Sequence, residues 1–278
     1  MSAATEPEGY APTPVVPGEA VLDLGAGDVR VVVRPEHGGR IGSVSVGGRE
    51  LLVTGHPLGP IYWGAYPMAP WAGRIRLGRF SFRGAEHQLP LAAPPHALHG
   101  VVFDRPWRVD GPDTISIDMD ARWPYRGRVR QRFAVRGDGL HVEMTLEADE
   151  PMPGVIGWHP WFRRSLEPDG APVSLRLEAA EMLVRDEEGM PSGVRTAPSA
   201  GPWDDCFTGL RSDPQLTWPG LRLTISSSCR WWVVYTERDY SVCVEPQSGP
   251  PDAANRGPEV VEPGTPLRHT MTWRWERT

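Results

Sequence analysis

Apolar side chains recur at every second position along much of this chain, and that period decides what it can fold into. In residues 140–147, Leu140, Val142, Met144 and Leu146 alternate with His141, Glu143, Thr145 and Glu147. Ile115, Ile117 and Met119 repeat the pattern, as do Leu221, Leu223 and Ile225, and Met271, Trp273 and Trp275. Successive side chains of a strand point to opposite faces, so alternation marks half-buried antiparallel strands. Turn residues sit between such runs, at Gly47-Gly48, Arg83-Gly84-Ala85 and Gly137-Asp138-Gly139. No apolar stripe of period 3.6 reaches helical length. The 31 Gly and 31 Pro among 278 residues also oppose long helices, since the two together average about 12% of ordinary chains and both break helices.

About a dozen or more candidate strands, roughly 8 to 20 residues apart, predict an all-β sandwich or barrel larger than an immunoglobulin domain. No low-complexity linker divides residues 19–278, which are expected to form one domain. Residues 1–18, rich in Pro, Ala and Glu, read as a mobile tail without the basic and apolar segments of a secretion signal. The less regular stretches 56–76, 90–107, 151–172 and 186–213 are where a site is expected.

All 29 basic residues are Arg, scattered among 35 acids for a net charge of −6, which opposes a nucleic-acid partner because that needs a dense basic face. No apolar run approaches membrane-spanning length. Cys206, Cys229 and Cys243 are odd in number and lack zinc-ribbon spacing. The expected compartment is the cytosol.

Two histidine segments stand out. PPHALHG sets His96 and His99 in a Pro-flanked loop before Gly100, and GWHPWF places His159 between two Trp residues. Either setting suits a packing residue or a proton-transfer group with a tuned pKa. In VCVEPQSGPPDAAN, a strand from 241 to 244 delivers Glu245 and is expected to stop at Pro246, with Gln247 beyond. A carboxylate at a buried strand end costs desolvation unless it is paired or used. WDDCF adds Asp204 and Asp205, and APWAGRIRLGRF adds Arg74, whose planar fork can grip hydroxyls or a carboxylate.

Two chemistries fit histidine and carboxylate on a β scaffold. A metal site would want His-x-His with a nearby acid; His96 and His99 are His-x-x-His without one, so no metal is expected. Metal-free acid–base work on a sugar fits better, with Trp residues as apolar walls. Trp71, Trp107, Trp158, Trp161 and Trp203 all lie beside the polar motifs. Nucleophile-elbow and phosphate-cradling patterns are missing.

In this order the strings APWAGRIRLGRF, HALHG, GWHPWF, DDCFTGL and VEPQSGPPDAAN resemble the aldose 1-epimerase (galactose mutarotase-like) family, over about residues 60 to 270. The resemblance implies a large antiparallel β-sandwich, the galactose mutarotase-like supersandwich, and a reaction that interconverts sugar anomers without cofactor or metal. Glu245 resembles the family's general base and His159 its general acid. His99 resembles the second histidine near the ring oxygen, and Arg74 and Asp204 resemble the pair that holds sugar hydroxyls. His96, Gln247 and Trp161 fit the same region. The implied partner is a small sugar; a sugar-binding protein without turnover is the alternative. The chain departs from the family pattern at Gly73, where Asn is common, and at Pro160-Trp161-Phe162, where Tyr-Phe-Asn is common. Arg76, Arg79, Arg163 and Arg164 raise the further expectation of a phosphosugar.

Overall fold

The computed structural model describes residues 19–136 and 139–278. The expected tail 1–18, and Gly137 and Asp138 of the expected Gly-Asp-Gly turn, lie outside the described residues. Among the described residues, helix is confined to three-residue 3-10 turns, and the rest of the regular structure is strand.

Two antiparallel sheets form the body. The larger has, in spatial order, Leu22–Ala26, Val29–Arg34, Arg40–Val46, Ala65–Met68, Gly157–Arg163, Ser241–Gln247, Trp231–Tyr235, Asp204–Leu210, Ala179–Arg185 and Pro191–Thr196, with Arg49–Glu50 beside Arg40–Val46. The second runs Arg108–Gly111, Thr114–Asp118, Gly127–Arg136, Gly139–Ala148, Leu267–Glu276, Leu221–Ser227, Gln215–Trp218 and Ser174–Arg176. The alternation read in the sequence is what joins them. Val142, Met144, Ile225 and Trp273 from the second sheet share one apolar core with Val31, Val44, Phe162 and Val244 from the larger one. The ring of Phe162 lies 4.9 Å from that of Trp273 across the two layers.

The same alternation leaves the opposite face of the larger sheet for chemistry. On Gly157–Arg163, Trp158 and Phe162 enter the main core, whereas His159 and Trp161 point the other way. On Ser241–Gln247, Val242 and Val244 enter the core, whereas Glu245 and Gln247 point with His159. Two expectations are corrected here. Within the stretch 151–172 expected to be irregular, Gly157–Arg163 is a strand, and the strand carrying Glu245 does not stop at Pro246 but continues to Gln247. The reason is positional. The two strands pair at Gly157↔Gln247 and again from Trp161↔Cys243 to Arg163↔Ser241. Trp161 N–H donates instead to Gly64 O at 2.8 Å on the far side, so the alternating backbone aims the Pro160 nitrogen at Ser241–Gln247. Pro160 and Pro246 have no amide hydrogen to give, so each removes one ladder bond, and the paired register is interrupted between them.

Candidate active site

The register assembles the site in rows across the sheet. Tyr66 pairs with His159, and the constant register between Gly157↔Gln247 and Trp161↔Cys243 sets His159 opposite Glu245. Glu245 pairs with Val233, and Val233 with Cys206. Two residues along, Trp161, Cys243, Tyr235 and Asp204 make the neighbouring row. All of these except Cys243 line one cavity of about 440 Å³, together with Gly73, Arg74, His99, Arg185, Asp205 and Gln247. Residues more than 170 positions apart therefore share a surface because strand register, rather than loop proximity, aligns them.

At the cavity floor His159 Nε2 lies 3.2 Å from Glu245 Oε1. Gln247 Nε2 donates to Glu245 Oε2 at 3.3 Å. The His159 ring stacks on Tyr66 (4.8 Å between centroids) and on Trp161 (5.1 Å), and His99 meets it edge-on at 5.1 Å. Each contact restricts ring rotation. The Nδ1 of His99 and the Oε1 of Gln247 are buried without a hydrogen-bond partner among the described residues. Buried polar atoms are almost always satisfied, so such atoms on a cavity wall mark places for a polar ligand.

The second wall is ionic. Arg74 Nη1 stands 3.8 Å from Asp204 Oδ2, and Arg185 Nη1 stands 3.3 Å from the same oxygen. Arg185 Nε also reaches Asp205 Oδ1 at 2.9 Å. Arg74 is held by backbone geometry. Its two-residue strand Arg74–Ile75 pairs with Ala97–Leu98, and His99 N–H donates to Gly73 O at 2.9 Å. Asp252 braces the loop from below: its carboxylate accepts from Arg76 N–H at 3.0 Å and from Asn255 Nδ2 at 2.9 Å, and its own N–H donates to Arg74 O at 2.8 Å. The PDAAN segment thus positions Arg74, and only its Pro251 reaches the cavity wall. Gly73 has φ +67°, a left-handed conformation that glycine and asparagine tolerate best. A Cβ there would lie 3.1 Å from Pro251, which favours glycine at this departure from the family pattern.

Burial sets the proton affinities. Desolvation, helped by the charge on Arg40, pulls the His159 imidazole down to about 3. Desolvation and the negative charge of Asp204 push the Glu245 carboxyl well above its usual range, against the pull of Gln247 and Arg74. Both effects favour an uncharged pair that holds one proton between its members. His99 is held well below the usual imidazole value by burial and by the neighbouring His159 and Arg74. Asp204 is raised by burial despite Arg74 and Arg185.

Arg74, His99, His159, Trp161, Asp204, Glu245 and Gln247 are thus brought together; His96 is not. It is buried under the Leu77 turn, where its Nδ1 accepts the Leu77 N–H at 3.1 Å. Of the Trp residues beside polar motifs, only Trp161 lines the cavity. Trp71, Trp107 and Trp158 fill the main core, and the Trp158 and Trp107 indoles donate to Gln131 Oε1 and Val102 O. The four phosphate-candidate arginines lie off the cavity walls. Arg76 is spent on Asp186 and Glu188, Arg79 on Gln88, and Arg163 and Arg164 on backbone carbonyls including Leu52 O and Arg238 O. Tyr66 and Arg185 belong to the site without a motif, whereas Asp205 stood in the WDDCF motif without a role of its own. Among the described residues, one His/Cys/carboxylate group has its ligand atoms close together: His159, Cys243 and Glu245.

A sequence profile described as Aldose 1-epimerase matches residues 21–274. The chain belongs to the aldose 1-epimerase family. Among its relatives, uncharacterized protein YihR of Escherichia coli K12 is 24% identical over 233 residues, covering 72% of this chain and 75% of that one. Uncharacterized protein YphB of the same organism is 31% identical over 104 residues, covering 35% of this chain and only 36% of its own length. The fold matches a putative aldose 1-epimerase from Escherichia coli K12 with a TM-score of 0.79 at 21% identity, covering 94% of this chain and 100% of that one. It also matches galactose 1-epimerase from Lactobacillus acidophilus, with a TM-score of 0.78 at 15% identity over 98% and 99% of the two chains. The family carries the all-β architecture expected from the alternation.

Proposed function

We propose that this family member interconverts the α and β anomers of an unphosphorylated hexose or related aldose, with Glu245 and His159 as the acid–base pair. The observation that carries this reading is the 3.2 Å His159–Glu245 contact on the floor of a cavity walled by Arg74 and Asp204. Ring opening takes a proton from the anomeric hydroxyl and gives one to the ring oxygen. Both oxygens are bonded to C1, so base and acid must stand side by side, as these two do.

With the sugar bound, the carboxylate of Glu245 accepts the O1 proton as electrons form the C1 carbonyl and the C1–O5 bond breaks. His159, in its protonated form, delivers its proton to O5. A charge-separated pair thereby becomes the uncharged pair that burial favours, with the proton count of the site conserved. Rotation about C1–C2 presents the other face of the aldehyde. Closure runs the transfers in reverse and restores the starting state. Trp161 and Tyr66 hold the His159 plane, His99 adds a hydrogen bond near O5, and Arg74, Asp204 and Gln247 hold hydroxyls.

The favoured substrate is unphosphorylated because none of Arg76, Arg79, Arg163 and Arg164 reaches the cavity wall. The test is anomer exchange by NMR on a panel of free and 6-phosphorylated aldoses, wild type beside Glu245→Gln. Exchange accelerated by the wild type and reduced about a hundredfold or more in the variant is expected for loss of a general base. Sugar binding without acceleration by either protein would overturn catalysis and leave a binding protein.

A further inference from the structure

The residue below the acid–base pair is a cysteine with no part in the reaction just described. Cys243 shares a face of its strand with Glu245, pairs with Trp161 in register, and is fully buried as a free thiol. One ligand atom from each of His159, Cys243 and Glu245 lies within 4.8 Å of the other two. No spacing rule flags such a set, because one ligand comes from a strand more than 80 residues before the others.

We propose that His159 Nε2, Glu245 and Cys243 Sγ form an inhibitory site for a borderline-soft divalent cation of the Zn²⁺ type, with its fourth position open to the cavity. The inference rests on the epimerase reading only for the word inhibitory. Three arguments carry it. Imidazole, carboxylate and thiolate are the usual zinc donors, and three protein ligands with an open fourth position form a recurrent arrangement. Tetrahedral geometry at ordinary zinc bond lengths separates ligand atoms by roughly 3.3–3.8 Å. The His159–Glu245 pair is already at 3.2 Å, and since the thiol lies within 4.8 Å of both, bringing it in takes about 1.5 Å of contraction at most. Charge is the third argument. A dication with one thiolate, one carboxylate and one neutral imidazole sums to zero, the net charge a buried site tolerates best. The metal would release the thiol proton and the proton shared by the acid–base pair, and would occupy the lone pairs that catalysis needs.

The experiment uses the full chain, stripped with a chelator and titrated with Zn²⁺ by calorimetry, with X-ray absorption on the loaded protein. One equivalent is expected to bind, with a Zn–S distance near about 2.3 Å. Outer-sphere changes alone cost metal sites about 10–100-fold in affinity, so Cys243→Ser and His159→Gln are each expected to weaken binding by at least tenfold. Zn²⁺ is expected to suppress wild-type anomer exchange with the same midpoint as binding, each protein's metal-free rate being its own reference. Absence of a bound equivalent at micromolar Zn²⁺, absence of a Zn–S contribution, or equal affinity in Cys243→Ser would overturn the proposal. Because binding is read without turnover, a bound metal in a protein that turns over no sugar would overturn the epimerase reading alone.

Discussion

His159 and Glu245 face each other where the paired register of their strands is interrupted, with Pro160 and Pro246 following them directly and each removing one ladder donor. Burial shifts the proton affinities of both groups that meet there, the imidazole downward and the carboxyl upward. The contact is made by paired strands and not by loops, which would keep the proposed acid and base aligned before a sugar arrives.

Replacing His159 by Gln keeps a polar side chain of similar reach but removes the group that can carry a proton to O5. Turnover is expected to fall about 10²–10⁴-fold with a much smaller change in KM. Saturation kinetics by NMR exchange check this; a change confined to KM would assign His159 to binding alone.

The pair is active while it holds one proton. It gains a second only as the pH falls through the His159 value of about 3, far below the usual 6.5. It loses its last only as the pH rises through the raised Glu245 value. Turnover of chelator-treated protein, corrected for spontaneous exchange, is therefore expected to stay level from about pH 7 down to about pH 5. An acid limb centred near 6.5 would show that His159 titrates as an ordinary histidine.

Asp252 is nearly fully buried and holds the Arg74 loop through Arg76 N–H and Asn255. Asp252→Ala leaves that N–H without its acceptor and is expected to cost about 1–3 kcal/mol of stability. Loosening of Arg74 should also raise KM for the sugar. Asp252→Asn keeps an acceptor and tolerates the left-handed backbone at φ 62°, so it is expected to recover most of both losses in denaturant titrations and kinetics.

Gly100 supports His99 by a close approach of main chains. At φ +84° its Cβ, if present, would lie 2.0 Å from Ala69 O. Gly100→Ala is expected to destabilise the protein by at least about 1–3 kcal/mol and to displace His99, raising KM more than it lowers kcat. Thermal denaturation and the same exchange assay measure both.

The all-β class was legible because the strands of the second sheet carry the period plainly: Val142, Met144 and Trp273 fall on alternating positions and lie together in the core. That His159, Glu245, Arg74 and Asp204 would gather at one place was legible through motifs. The rest was not, for physical reasons. Tyr66 and Arg185 enter the site through register, a long-range property that no local string records. Pro246 read as a strand end because a proline in a central strand normally removes a ladder bond; here Pro160 lies in the neighbouring strand across the same gap. The surplus of Arg hid which guanidiniums were free, and the structure shows Arg76, Arg163 and Arg164 already committed to carboxylates or carbonyls.

Among the described residues the larger sheet does not close on itself, and its outer strand Pro191–Thr196 leaves one row of main-chain groups without a neighbouring strand. That strand starts with Pro191, carries Gly193 at φ 93°, and turns Arg195 outward to Glu181. A proline without a donor, a residue outside extended geometry and a fixed charge make a poor template for an incoming strand. At high concentration this rim should resist stacking into fibres, so the exposed border beside the cavity can remain accessible to sugar without recruiting other chains.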